Sequence, residues 1–78
     1  MTNINMRDRI GLTAGEIWQA LKKKNEISVA QLPKVVKEKS LVIHGALGWL
    51  AREDKIRFRG DDVSLSVSLS ETERKVTS

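Results

Sequence analysis

Three basic side chains alternate along one short stretch of the sequence, Lys55, Arg57 and Arg59. In an extended strand alternate residues share a face and lie about 7 Å apart. Such a row of cations can displace counterions from a phosphate backbone, which makes nucleic-acid contact the first chemistry to consider. The alternative is that these charges only keep an exposed edge strand from pairing with other chains. Asp61 and Asp62 follow closely, and their carboxylates would repel a phosphate.

The residues needed for catalysis or metal binding do not form a recognisable set. The sequence has no cysteine and one histidine. It has no phosphate-binding glycine loop, no nucleophile elbow and no histidine paired with a carboxylate at a readable spacing. We therefore expect a protein that is not an enzyme, with no cofactor and no metal site.

Length and composition predict one small domain. The chain has 78 residues, a formal charge of +4 and a pI of about 9.8. A basic domain is a candidate for binding nucleic acid, although many small solvated domains carry a few excess lysines. Chains of this size bury little apolar area and often gain stability by oligomerising, so a homodimer is expected. No apolar run approaches the ~18 residues of a membrane span, and no signal peptide is recognisable, so we expect a cytoplasmic protein.

The stretch from residue 40 to residue 58 predicts a helix followed by a strand. Ser40 is placed to cap a helix whose inner face consists of Ile43, Leu47 and Leu50. The remaining positions on a helical wheel form a flank and an outward face. The flank contains Val42, Ala46 and Trp49, and the outward face contains Leu41, His44, Gly45, Gly48 and Arg52.

Two further helices are predicted before this one. Thr13 and Glu16 match a capping box, so the first helix is predicted over 13–24; a rival interpretation extends it back through Ile10 and Met6. Gly11 and Gly15 count against the extension, at roughly 1 kcal/mol each. A short strand is predicted over 26–28, and a second helix from a Ser28 cap to about Lys37, shortened or kinked by Pro33.

A β-hairpin is predicted after the third helix. Its strands are 55–59 and 63–69, joined by a turn at 60–62, because valine and leucine alternate with serine along the second strand. The predicted organisation is a flexible N-terminus over 1–9, a folded domain over 10–69 and a disordered tail over 70–78.

This order of elements, with the segments AGEIW (14–18) and ALGWLARE (46–53), resembles a family of small bacterial winged helix-turn-helix proteins of largely unassigned function. The resemblance covers residues 10 to 69 approximately. It implies an α+β fold of three helices with a short strand and a C-terminal β-hairpin wing. Winged helices bind DNA, but they also serve as dimerisation and protein-docking modules.

The leading functional hypothesis is therefore a dimeric module that binds double-stranded DNA in transcription or nucleoid architecture. The expected contacts with DNA are Lys39, Ser40, His44, Arg52, Lys55, Arg57 and Arg59. His44 has the alternative of being a solvated or half-buried side chain. The outward helix face lacks the Asn, Gln and Arg pattern of sequence readers, so weak sequence discrimination is expected. The alternative function is a homodimerising or protein-docking module without nucleic acid, with Gly45, Gly48 and Trp49 as the interface.

Overall fold

The computed structural model describes residues 5–71 and residue 73. Within these residues the chain forms three α-helices and one three-stranded antiparallel sheet. The elements are α1 (Met6–Lys24), β1 (Glu26–Ser28), a 3₁₀ turn (Val29–Gln31), α2 (Leu32–Val36), α3 (Ser40–Arg52), β2 (Ile56–Arg59) and β3 (Ser66–Leu69). This is the helix, strand, helix, helix, hairpin order of a winged helix-turn-helix, as predicted.

The first helix begins seven residues earlier than the capping box indicates, so the rival interpretation is correct. Asn5 caps α1, and its side-chain oxygen accepts from the Asp8 N–H at 2.8 Å. Thr13 lies inside the helix and is buried. Ile10 packs against the core from the added turns, and this packing offsets the roughly 1 kcal/mol that each glycine costs.

Parts of the two segments predicted to be flexible or disordered, 1–9 and 70–78, are structured. Residues 6–9 belong to α1, and the Arg9 guanidinium contacts Glu38. At the other end Ser70 is buried, and its N–H donates to the Lys55 carbonyl at 2.9 Å. The predictions for residues 1–4, 72 and 74–78 lie outside the described residues.

Glu73 connects the C-terminal segment to α1 through a side-chain hydrogen bond. Its Oε1 accepts from Nε1 of Trp18 at 2.8 Å, and the Lys22 ammonium lies 4.8 Å from the centre of the same indole. Trp18 is half-buried at the edge of the core. Trp18 therefore combines packing against the core with a polar contact that the sequence did not indicate.

The second helix is divided into the 3₁₀ turn and α2. The Ser28 side chain makes no capping hydrogen bond, so the predicted side-chain cap is wrong. Pro33 lies in the first two positions of α2, where a missing N–H leaves no helical bond unmade, and it therefore starts this helix. Lys37 ends α2 in the left-handed conformation, with its N–H bonded to the Pro33 carbonyl at 2.9 Å.

The core lies between α1, α3 and the inner face of the sheet. The inward positions predicted for the third helix are buried, and Ala14, Ile17 and Leu21 of α1 and Leu32 of α2 join them. Ile27, Ile56, Val67 and Leu69 close the core from the sheet. No helix within the described residues is both long and apolar enough to span a membrane.

The wing is shorter than predicted. In the strand order β1-β3-β2, Ile56 pairs with Leu69 and Phe58 pairs with Val67. Residues 60–65 form a loop instead of extending the second strand, because Gly60 has φ +105° and Asp61 Oδ1 accepts from the N–H groups of residues 63 and 64. Val63, predicted to be in the strand, is consequently 95% exposed.

Candidate nucleic-acid interface

The outward face of α3 is an exposed stripe within the described part of the chain. Leu41, His44, Gly48 and Arg52 are all exposed, as the helical wheel predicts. Their spacing of three or four residues places them above one another along the helix. From Leu41 to Arg52 the stripe runs about 16 Å, since each helical residue rises about 1.5 Å.

The N-terminus of α3 has no side-chain cap. Lys39 occupies the N-cap position and Ser40 is the first helical residue, so the predicted Ser40 cap is wrong and the helix begins one residue earlier than predicted. The first N–H groups of a helix have no acceptor within the helix and carry partial positive charge, which favours an anion. Ser40 and Lys39 are both exposed here, so N–H groups, a hydroxyl and an ammonium are available together.

The one carboxylate in the turn before α3 is internally paired. Arg9 donates to Glu38 twice, from Nε at 3.0 Å and from Nη2 at 2.7 Å, and the Lys39 N–H donates to Glu38 at 2.9 Å. The hydrogen bond from Arg9, followed by that from the Lys39 backbone, lowers the pKa of Glu38 from 4.5 to about 2. Arg9 therefore compensates the negative charge of Glu38, which lies between the exposed Lys37 and Lys39 in the sequence.

Gly45 faces α1 and not the outside, contrary to the prediction. A Cβ at this position would lie 2.8 Å from Cδ1 of Ile10. The absence of a side chain at Gly45 therefore permits close packing of α1 on α3 within one chain. At Gly48, which is exposed, a Cβ would meet nothing within 4 Å, so Gly48 has the more open surface of the two.

Trp49 lies at the border between the stripe and α1. It is 44% exposed, and its Cη2 comes within 3.9 Å of where a Cβ of Gly11 would lie. A shallow pocket of about 540 Å³ beside it is lined by Arg7 and Arg52 together with the acidic Glu53, Ile10, Gly45 and Gly48. Arg7 is a candidate site residue that sequence reasoning missed, because the first helix was predicted to begin after it.

The cations of the wing are divided between two surfaces. Arg57 and Arg59 lie opposite Ser68 and Ser66 in the antiparallel register and so share the outer face of the sheet. Lys55 precedes β2 and lines a different groove, next to Trp18 and Glu73. The predicted row of three cations is therefore reduced to two.

Glu26 balances one of these two charges. Its Oε1 lies 3.7 Å from Nη1 of Arg59, and its Oε2 accepts from the Ser66 hydroxyl. Arg59 is 82% exposed, so the pairing is weak. Arg57 has no ion-pair partner within residues 5–71 and 73, and it is the stronger candidate for a phosphate contact.

The wing tip, residues 61–63, carries negative charge, in contrast to the cations of β2. Asp61 and Asp62 are exposed beside Val63, and Asp61 is committed to the N–H groups of its own loop. A negatively charged tip is poorly suited to lie against a phosphate. Among the described residues no group of three His, Asp or Glu side chains could hold a metal ion.

Comparison with known proteins finds this architecture elsewhere. The sequence model of the family described as winged helix-turn-helix domain (DUF2582) matches residues 2–69. The uncharacterized protein MJ1608 of Methanocaldococcus jannaschii is 38% identical over an alignment of 68 positions, and the alignment covers 83% of this chain and 96% of that protein. Because this relative is archaeal, the similarity extends beyond bacterial proteins.

Two solved structures are similar as well. Reduced HlyU from Vibrio cholerae superposes with a TM-score of 0.71 at 26% identity, covering 83% of this chain and 67% of that one. Protein BT2368 from Bacteroides thetaiotaomicron gives a TM-score of 0.70 at 28% identity, covering 81% of this chain and 77% of that one. The fold is thus shared along most of the chain.

Proposed function

Since the chain belongs to the winged helix-turn-helix domain family whose model covers residues 2–69, we propose that it binds double-stranded DNA, with α3 in the major groove. The observation that supports this most is the exposed stripe of α3, which has cations at both ends. The major groove of B-DNA is about 12 Å wide and admits a helix. In a helix-turn-helix the second helix of the motif, here α3 after α2, is the one that lies in the major groove.

The phosphate contacts are proposed at three places. Lys37, Lys39 and Ser40 meet the backbone at the N-terminus of α3, where uncapped N–H groups add to the attraction. Arg7 and Arg52 meet it at the other end, and Arg57 meets it from the sheet. Lys55 is left out, because it lines the groove near α1.

We propose that the protein discriminates only weakly between DNA sequences. The stripe offers His44 near the groove, but no exposed Asn or Gln that could bond adenine bidentately, and its only arginine lies in the last turn. Affinity would then come mainly from the phosphate backbone. Such binding suits either an architectural role or a transcription factor that acts together with a partner.

Fluorescence anisotropy on a random-sequence duplex over a salt series tests the proposal. Each phosphate contact contributes about −0.9 to the slope of log K against log salt. We expect Arg57→Gln to reduce the slope by about one contact. Lys23→Gln, which removes an exposed charge in the last turn of α1, is the matched control and should leave the slope unchanged. Absence of binding at about 50 mM salt would reject the proposal.

The pairing of Arg59 gives a second test of the same surface. Glu26→Gln removes the carboxylate that lies near Arg59 and should raise the affinity for DNA. The salt slope should become steeper by the equivalent of up to about one phosphate contact. Glu16→Gln is the control, because Glu16 is an exposed acid on α1. Equal effects of the two variants would mean that only net charge matters, and the sheet face would then be dropped from the interface.

The exposure of Trp49 favours a second candidate function, homodimerisation or protein docking through Gly48 and Trp49. Sedimentation of the wild type beside Trp49→Ala and Gly48→Glu tests it, and identical monomeric behaviour of all three would end this candidate. The two functions separate cleanly, since Arg57→Glu with Arg59→Glu should abolish DNA binding and leave association intact.

A further inference from the structure

Leu41 is unusual among the large apolar side chains of α3. It is 71% exposed at the second position of the helix, whereas Val42 and Ile43 beside it are each 1% exposed. An exposed leucine alone needs no explanation. Leu41, however, lies on the same stripe as His44 and Gly48, in the first turn of the helix that is proposed to enter the groove.

The position of Leu41 restricts what it could contact. Residues near the N-terminus of a recognition helix are the ones that reach base edges in helix-turn-helix proteins. Each base pair presents a distinct pattern of donors and acceptors in the major groove, and the apolar group in this pattern is the 5-methyl group of thymine. A leucine side chain has no donor or acceptor, so that methyl group is the base-edge feature with which it makes a favourable contact.

We propose that Leu41 reads the 5-methyl group of thymine, so that A·T-containing major grooves are the preferred class of DNA. This inference rests on the proposed function. His44 lies about 4.5 Å further along the helix axis, slightly more than one base-pair step. It therefore faces the neighbouring base pair, where its ring nitrogens can donate or accept. Gly48, with open space in place of a side chain, lets the helix approach the groove closely.

The expected effect is modest. Burying one methyl group against an apolar side chain corresponds to roughly a four-fold change in affinity. A preference of this size agrees with the weak sequence discrimination proposed for the whole interface. The contact between Leu41 and the methyl group requires no hydrogen bond and no rearrangement of α3.

Replacing thymidine by deoxyuridine removes the methyl group while base pairing is retained, and this gives a direct test. Two duplexes with an alternating A·T centre and G·C ends are prepared, one with thymidine and one with deoxyuridine, and binding is measured at equal salt. We expect the wild type to prefer thymidine by about four-fold or more. Leu41→Ala should bring the ratio close to one with an unchanged salt slope, since its phosphate contacts remain.

Val63→Ala is the matched control, because Val63 is an exposed apolar residue on the wing tip (95% exposed). It should keep the wild-type ratio. Thermal melting checks that each variant folds, which we expect because neither side chain is buried. A wild-type ratio of one overturns this inference and leaves DNA binding in place. The same ratio in Leu41→Ala as in the wild type also overturns it, since the preference would then come from DNA shape. Absence of binding to either duplex overturns both this inference and the proposed function.

Discussion

Replacing Gly48 by alanine should stabilise the protein. Gly48 lies inside α3 and is exposed, and a Cβ there would meet nothing within 4 Å. An interior glycine costs about 0.8–1.0 kcal/mol relative to alanine, and no contact opposes the gain. For a domain of this size that corresponds to an increase in Tm of about 4–8 °C.

Gly45 provides the contrast that makes the prediction sharp. It lies in the same helix, but its Cβ would lie 2.8 Å from Cδ1 and 3.2 Å from Cγ1 of Ile10. Moving the Ile10 side chain off its rotamer costs about 0.5–1.5 kcal/mol, which cancels the gain in helix propensity. Gly45→Ala should therefore be neutral or slightly destabilising, about 1 kcal/mol below Gly48→Ala.

Urea and thermal unfolding of the two variants beside the wild type measure this difference. Gly15→Ala is the control, since Gly15 is exposed in α1 with nothing within 4 Å of an added Cβ, and it should stabilise like Gly48→Ala. Equal stabilities of the Gly45 and Gly48 variants would refute the packing described for Ile10. If Gly48→Ala destabilises in a way that depends on protein concentration, a second copy occupies that space and the dimer candidate gains support.

Three further outcomes are expected from contacts that the sequence did not indicate. Because the folded-state pKa of Glu38 is about 2 against an ordinary 4.5, its pairing with Arg9 stabilises the protein above pH 4.5, and this contribution is lost as the pH falls through 2. Glu38→Gln should flatten the acid limb of a stability-against-pH curve measured by urea unfolding. Gly60→Ala should cost about 1–3 kcal/mol by thermal melting, since Gly60 has φ +105° and an added Cβ would overlap a carbonyl oxygen across the loop. Trp18→Phe, which removes the bond to Glu73, should cost about 1 kcal/mol, and unchanged unfolding would argue against that anchor.

The fold could be predicted because each large element has a clear hydrophobic period. The inward positions Ile43, Leu47 and Leu50 follow directly from the spacing of apolar residues in α3, and all three are buried. The alternation of Val67 and Leu69 likewise identifies the strand whose inner face completes the core. These predictions depend on local periodicity, which the chain carries in its sequence.

The errors arise where a distant contact decides the local structure. Thr13 looks like a helix cap, but α1 begins earlier because Ile10 packs against Gly45, a residue 35 positions away in the sequence. The same contact explains why Gly45 does not face outward. Arg59 looks unpaired in the sequence, and its partner Glu26 is brought near only by the strand order β1-β3-β2. Such pairings depend on tertiary structure, so the surroundings of these side chains could not be predicted from the sequence as the helices and strands could.

Whether the two candidate functions are compatible depends on which side of α3 a partner covers. Leu41, His44 and Gly48 lie along the outward stripe, whereas Trp49 lies toward α1 and contacts the surface near Gly11. On a helical wheel Trp49 is about 100° from Gly48, so a partner seated on the indole leaves the middle of the stripe uncovered. A dimer formed through Trp49 would therefore raise DNA affinity by placing two stripes on one duplex. If the dimer instead extends over Gly48, it covers the groove-facing surface, and the two activities exclude each other. Measuring DNA affinity of Trp49→Ala distinguishes these cases, because affinity falls in the first and rises in the second.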